Sequence, residues 1–482
     1  MGSAVGLSEA SRAAFVAEAL VPATRRVARL GDLGGTCPHT AFTLLRYCGA
    51  FPCAVFFARG SGPCPAFGVL DAFVRDNCEQ MLFPFSSLQW SEVCAPPRFG
   101  GKGLLQIGPL ADLQHQSWIN SGVELACKLC PALLPSPEKS PADVLRLISL
   151  IREESCASTS QGEISFSKRA AEAKQKITQH HEEQLQARIS AADGDEEELG
   201  RIQSLKASGV AAVLAPTPGR DDDLWFRLPR VWLRPAAFLA AFRLSLGLPV
   251  IDSCGSCPFC SQQRADLPLH IFNCVRGGGR QRCHTSLKQA VFAAASAAQW
   301  APRFETQPFI TDTGRIDIEC LWFGDRFLFD TAVVTQTGSP NALSQAASTP
   351  GGAATVYEAT KHKRYDGAAA ATDTAMVVVP LVWDSFGAAG KTAIDVTKRL
   401  ATGAAHRFGL AVSQVISILR ERITARVVLG FANIAKEAIW RSELNRPLCR
   451  SSTQFKAGDI TQTADVEGDM VTRTALDDVV AG

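Results

Sequence analysis

The chain has 482 residues, 46% hydrophobic and 20% charged, a balance that describes a core-forming protein and excludes an intrinsically disordered one. Its net charge is +2, but residues 254–450 hold 22 Lys and Arg against 15 Asp and Glu (+7), whereas the remainder holds 27 against 32 (−5). The basic excess therefore collects in the half that carries the candidate chemistry, as a surface meeting phosphates requires.

Sixteen cysteines in so long a chain, with no charged and apolar leader at its start, point away from a secreted disulfide scaffold. MGSAVG lacks the Ser or Thr of a myristoylation signal, and no uninterrupted apolar run reaches the length of a membrane span. The expectation is an intracellular, reducing setting without a membrane partner.

Residues 1–150 read as mostly helical, with apolar residues three and four apart in EASRAAFVAEALVPATRRVARL and LDAFVRDNCEQMLF. HTAFTLLRYCGAFPCAVFFARGSGPCP reads as a helix, a turn near Gly49 to Pro52 and a second apolar segment. Cys127 and Cys130 form a CxxC with no partner in view and read as buried helix cysteines. Residues 151–223 are polar, with mixed charges along a solvated helical linker. His180 and His181 lie side by side there and do not share a helix face, which argues against a metal site. Residues 224–253 become apolar again, and a connecting helix after Pro235 stops at Gly247 and Pro249.

A cysteine/histidine cluster follows at 254–276. Cys257-x2-Cys260 and His270-x3-Cys274 form two short chelating pairs, the spacing of a closed tetrahedral structural zinc site. Cys254 precedes Cys257 with the same gap and remains an alternative ligand. Next, VRGGGRQRCHTSLKQAVFAAA is a glycine turn that becomes a helix. Arg276, Arg280 and Arg282 are candidate phosphate contacts, and His284 is a donor near the helix start.

ETQPFI, RIDIECLWF and RFLFDTAVV read as strands, with Gly324-Asp325 as the turn between the last two. A hairpin there brings Asp317 close to Asp330, two oxygen-ligand groups suited to Mg²⁺. The later helix AATVYEATKHKRYDG carries Glu358 and Lys361 on one face, near Lys363, Arg364 and Tyr365. A lysine there can stabilise charge on a phosphate or activate water. AMVVVPLVWD reads as a buried strand, followed by helices over 390–409 and about 412–442.

The order αβββαβ with paired acids resembles the PD-(D/E)xK restriction-like nuclease fold. More closely, residues 254–445 resemble the C-terminal end of site-specific non-LTR retrotransposon polyproteins, where a CCHC zinc knuckle precedes a restriction-like endonuclease. Cys257, Cys260, His270 and Cys274 match the knuckle; His284 matches the histidine of an Arg-His-Asn motif. Asp317 and Asp330 match the two acids, and Lys361 with Arg364-Tyr365 resembles a Lys-x-x-Lys-Tyr signature that supplies the displaced catalytic lysine. AFTLLRYCGA, APPRFGGKGL, ASGVAAVLAPTP and LRPAAFLAAFRLSLGLPV resemble, in order, the segment after the polymerase palm. Departures are Cys283 and Thr285 flanking His284, and Ile316 where a proline is usual.

The resemblance implies a multidomain α+β chain: 1–150 a helical post-palm, thumb-like region, 151–223 a linker, 224–253 a connecting helix, 254–276 a zinc knuckle, 277–445 a restriction-like α/β core with a helical cover, and 446–482 a flexible tail. It implies a Mg²⁺-dependent DNA endonuclease fragment with structural Zn²⁺ and no small-molecule cofactor. Its partners would be target DNA and element RNA, in the nucleus. No palm with an Asp-Asp motif is present, so reverse transcription is not expected of this chain, which reads as a truncated copy or the distal part of a longer frame. The competing expectations are an inert nucleic-acid-binding remnant and a purely structural helical scaffold.

Overall fold

The computed structural model describes residues 8–49, 51–118, 166–214, 232–251, 256–262, 267–306, 316–322, 325–370, 376–444 and 470–471. The chain divides into two compact units. The first comprises 1–35, 40–96 and 103–187, and the second 36–39, 97–102 and 188–482.

The first unit is helical. Helix α1 (Glu9–Gly34) starts where the Ser8 side chain accepts the Ser11 amide, and Val16, Leu20, Ala23 and Val27 form its buried stripe. Each such fully buried Val or Leu contributes about 1.5–3 kcal/mol. α1 packs on α4 (Pro65–Met81), where a Cβ added at Gly34 would collide with Met81, so glycine permits the close approach.

Between them in sequence, α2 (Pro38–Leu44) continues as a π turn at Leu45–Gly49, and α3 (Phe51–Ser61) begins at Phe51, so Gly49, Phe51 and Pro52 are helical where a Gly/Pro turn was expected; residue 50 lies outside the described residues. By length and composition Pro38–Ser61 meets the criterion for a membrane-crossing helix, with a mean hydropathy of 1.5, where no apolar run of that length was expected. A buried core helix meets the same criterion, and Ala41, Phe42, Leu45, Ala54 and Ala58 are buried here. α5 (Ser87–Cys94) opens with a capping box between Ser86 and Gln89. Cys127 and Cys130 lie outside the described residues.

Helix α6 (Phe166–Ala191) contains His180 and His181, which bond Gln184 on their own helix rather than each other. The second unit then builds α7 (Glu196–Ala207) and α8 (Val210–Leu214). The acidic DGDEEE run is a helix start: Asp195 accepts the Glu197 and Glu198 amides, and the following glutamates favour the positive end of the helix dipole. The stretch expected as a linker is therefore partly core, since Ile202 and Leu205 are buried.

The expected connecting helix is α9 (Pro235–Ser245), with Gly247 in the left-handed region beyond it. Two-residue strand β1 (Trp232–Leu233) pairs antiparallel with β6 (Met470–Val471), so part of the expected tail joins the fold. The rest of the second unit runs α10 (Leu267–Asn273), α11 (Gly279–Ala297), β2 (Arg303–Thr306), β3 (Ile316–Trp322), β4 (Asp325–Val334), α12 (Pro340–Ser348), α13 (Gly352–Ala370), β5 (Met376–Asp384), α14 (Lys391–Phe408) and α15 (Val412–Leu444).

The described residues are thus mostly helical, and the second unit contains a four-stranded mixed sheet in the order β2-β3-β4-β5. β2, β3 and β4 are antiparallel neighbours, while β5 returns parallel to β4 after the helical crossover α12–α13. Ile318 lies opposite Phe329 and Glu319 opposite Leu328, so the same register carried one step further sets Asp317 opposite Asp330. α11, α9 and α14 pack around α15, whose Ile423, Val427, Phe431 and Ile434 are buried.

Two buried carboxylates tie helices to this sheet. Asp384, at the end of β5, accepts the Ser204 hydroxyl of α7 at 2.5 Å and the Phe386 and Ala388 amides at 2.9 Å. Burial pushes its pKa up to about 6. Glu358 of α13 is 2% exposed and accepts the Thr392 and Ala393 amides at 2.9 and 3.0 Å, acting as a cap for α14 from another helix. Gly390 lets that carboxylate approach, because a Cβ there would collide with it. Glu358 therefore does not share a task with Lys361, although the two are three residues apart. Replacing Glu358 by Ala leaves two helix-start amides unpaired and should cost about 1–2 kcal/mol, measured as a lower urea midpoint.

Candidate metal centre and charged cluster

The zinc-type cluster assembles from a turn and a short helix. In 256–262 the Cys257 amide donates to the Gln262 carbonyl at 2.9 Å and the Ser261 amide to the Cys257 carbonyl at 2.8 Å. Ser261 closes this turn with φ at 62°. The turn brings Cys257 and Cys260 side by side, and the Phe259 amide donates to Cys257 Sγ at 3.4 Å. α10 then presents His270, and Cys274 follows its last residue.

One ligand atom from each of Cys257, Cys260, His270 and Cys274 lies within 4.8 Å of every other, with Cys260 Sγ and His270 Nε2 3.3 Å apart. Zinc bonds near 2.3 Å to sulfur and 2.0 Å to nitrogen require ligand separations of roughly 3.5–3.8 Å in a tetrahedron, so a small contraction suffices. The donor set fits a closed site of the zinc type. Burial pushes the Cys257 thiol up to about 11, while the Gln262 backbone, followed by His270 and the other two thiols, draws Cys260 down to about 6. A thiol drawn towards ionisation at Cys260 is a suitable start for metal uptake, which displaces thiol protons. Cys254 lies outside the described residues.

The cluster is joined to the helices beneath it. The Arg441 guanidinium sits 5.2 Å from the centre of the Phe259 ring, and Phe272 packs on Phe431 at 5.5 Å. Beyond Cys274, Gly278 is left-handed and opens α11, where Ile434 leaves no room for a side chain at Gly279. Of the basic turn, Arg276 and Arg280 are exposed as a phosphate contact requires. Arg282 instead pairs with Glu437 of α15, so part of its charge is already met. Cys283 is buried and packs against Gly430, a core role at the position flanking His284.

The second constellation draws on four elements, α11, β3, β4 and α13. His284 Nε2 of α11 is 3.1 Å from Asp317 Oδ2 of β3 and 3.1 Å from the Thr331 carbonyl of β4. A carbonyl only accepts, so Nε2 carries the hydrogen; Nδ1 is buried without a hydrogen-bond partner. Asp317 Oδ2 also accepts the Thr331 amide at 2.8 Å and its hydroxyl at 2.7 Å. Lys361 Nζ of α13 reaches Asp330 Oδ1 at 2.7 Å and the Thr331 carbonyl at 3.4 Å, and the Tyr365 hydroxyl donates to Asp330 Oδ2 at 2.7 Å.

His284, Asp317, Asp330 and Lys361 are thus gathered on and around one stretch of β4. Among the described residues the acids do not close into a second metal-type cluster like that of the cysteines; each is paired with a basic side chain instead. Lys363 and Arg364 are exposed one turn away, with Arg364 over the Tyr365 ring at 5.7 Å.

Sequence reasoning overlooked Thr331 and the Lys288–Glu305 pair, whose Nζ and Oε1 are 2.6 Å apart. The β2–β3 register places Glu305 opposite Asp317, since Phe304 pairs with Ile318 and Thr306 with Ile316. Lys288 follows His284 by four residues on α11, the one signal that could have drawn attention to it. No protein-family model matches this chain, and no curated protein does so either.

The hydrogen bond that His284 donates to Asp317 raises the His284 pKa above 6.5 despite an opposing effect of burial. Burial pushes Asp317 upward, but its bonds to His284 and Thr331 prevail and hold it below the usual 3.8. The pair's stabilisation is therefore full between about pH 3.8 and 6.5; it is lost as pH rises through the raised His284 value, and on the acid side as pH falls through the lowered Asp317 value. The melting temperature of His284→Ala should vary less with pH above 6.5 than that of the wild type. Metal analysis should find about one zinc per chain, and Cys274→Ser should abolish retention, because one lost thiolate opens a closed tetrahedral site.

Proposed function

We propose that residues 254–445 form a metal-dependent DNA-nicking nuclease of the PD-(D/E)xK type, derived from a non-LTR retrotransposon, with a structural zinc knuckle in front of it. The convergence of His284, Asp317, Asp330 and Lys361 from α11, β3, β4 and α13 carries this reading. The strand and helix order supports it as well. Asp317 and Asp330 would hold Mg²⁺, which polarises a phosphodiester and lowers the pKa of bound water.

The chain's own groups have separable tasks. Lys361, now held by Asp330 and the Thr331 carbonyl, offers a positive charge to a phosphate once Asp330 is otherwise engaged. His284 orients Asp317 and can carry a proton at Nε2. Arg276, Arg280, Lys363 and Arg364 provide exposed charge for the DNA backbone, with binding that weakens as salt rises. Element RNA is the second partner in this reading, and the nucleus is the place of action.

One observation favours a second reading, an inert nucleic-acid-binding remnant. Both acids are neutralised internally, by His284 and Lys361, and a cation must displace these partners. Purified zinc-loaded protein should convert supercoiled plasmid to open circles with Mg²⁺. Asp317→Ala should abolish this, and Lys361→Ala should slow it about 10²–10⁴-fold. DNA retention in a gel, steeply salt-dependent and without nicking by wild type, would establish the remnant instead.

A further inference from the structure

We infer that Thr331 is the positioning residue of the charged cluster, its hydroxyl fixing the Asp317 carboxylate against His284 while its main chain joins His284 to Lys361. The inference rests on the nuclease reading only for its consequence in catalysis; the geometry stands by itself. Thr331 is 1% exposed in the middle of β4, directly after Asp330. Three of its polar groups are engaged with the cluster. The amide and the hydroxyl donate to the same Asp317 oxygen at 2.8 and 2.7 Å. The carbonyl accepts His284 Nε2 at 3.1 Å and Lys361 Nζ at 3.4 Å.

The main-chain bonds are open to nearly any residue, but the hydroxyl bond requires Thr or Ser. The hydroxyl oxygen is also 3.3 Å from His284 Nε2, so it fills the angle between imidazole and carboxylate. A methyl in its place would press apolar surface against both groups at hydrogen-bond distance and force them apart. An acid held by two donors from one residue keeps its orientation when an opposing cation leaves, which a metal ligand requires. Asp330 has the matching arrangement, with Tyr365 as the neutral donor beside Lys361. Each acid therefore has one exchangeable cation and one fixed hydroxyl.

The test compares Thr331→Val, Thr331→Ala and Thr331→Ser in the zinc-loaded full chain, by crystal structure, melting temperature and Mg²⁺ dependence of nicking. In Val, Asp317 Oδ2 should leave its wild-type position by more than about 0.5 Å, the tolerance of a preorganised site. Nicking should fall about 10- to 100-fold with a raised half-saturating Mg²⁺, while Ser restores it. Ala removes the hydroxyl without the methyl clash and serves if Val does not fold. Asp317 and His284 unmoved in the Val or Ala structure, or unchanged Mg²⁺ dependence alongside a lower melting temperature, would overturn the inference and leave Thr331 a packing residue. Failure of the wild type to nick overturns the nuclease reading alone, because the crystal comparison still decides the role of Thr331.

Discussion

Strand β4 is an interior strand, antiparallel to β3 and parallel to β5, and it carries a carboxylate in the middle of an apolar run. Asp330 is 8% exposed there, with Phe329 and Leu328 fully buried beside it. An unpaired charge in that place costs several kcal/mol, so the fold must bring a cation to it. The parallel return of β5 demands a crossover, and the crossover helix α13 is the element that carries Lys361 and Tyr365. Topology and electrostatics meet in one feature: the connection needed to make the sheet also supplies the groups that neutralise its acid.

The same logic extends to Asp317 on β3, but with a titratable partner. His284 arrives from α11, the helix that precedes the sheet, and the bond raises its pKa while lowering that of Asp317. The two acids are thus held differently. The Lys361 amine and the Tyr365 hydroxyl hold Asp330, whereas His284 holds Asp317 most strongly when protonated. Such pairing stabilises the fold. Buried pairs of this kind are maintained by geometry, since removing either partner leaves the other charge stranded.

The cysteine/histidine cluster solves a separate problem. The turn at 256–262 is short and α10 has only seven residues, of which Ile271 and Phe272 are buried, so the two elements form a small core of their own. Ligation by four residues would hold what packing cannot, and contacts from Phe259 and Phe272 to α15 connect the cluster to the larger core. Cys274 lies ten residues before His284, with only a 3-10 turn and a left-handed glycine between it and α11. The two constellations are therefore mechanically adjacent although chemically distinct.

Local signals in the sequence determined a good deal. The spacing of Cys257, Cys260, His270 and Cys274 identified their cluster because chelating pairs are short-range by nature. The strands around Asp317 and Asp330 and the two final helices were legible from alternation and apolar spacing. What only the tertiary structure decided were the partners. Glu358 and Lys361 share a helix and a spacing that suggests one task, yet one caps α14 and the other meets Asp330. Arg282 read as a free phosphate contact and is tied to Glu437, 155 residues away. Thr331 carried no signal at all, because its importance comes from main-chain and hydroxyl groups whose partners lie on α11, β3 and α13. Periodicity and chelate spacing depend on neighbours along the chain, but charge pairing and hydrogen bonding in a core depend on which distant segments the crossover brings together.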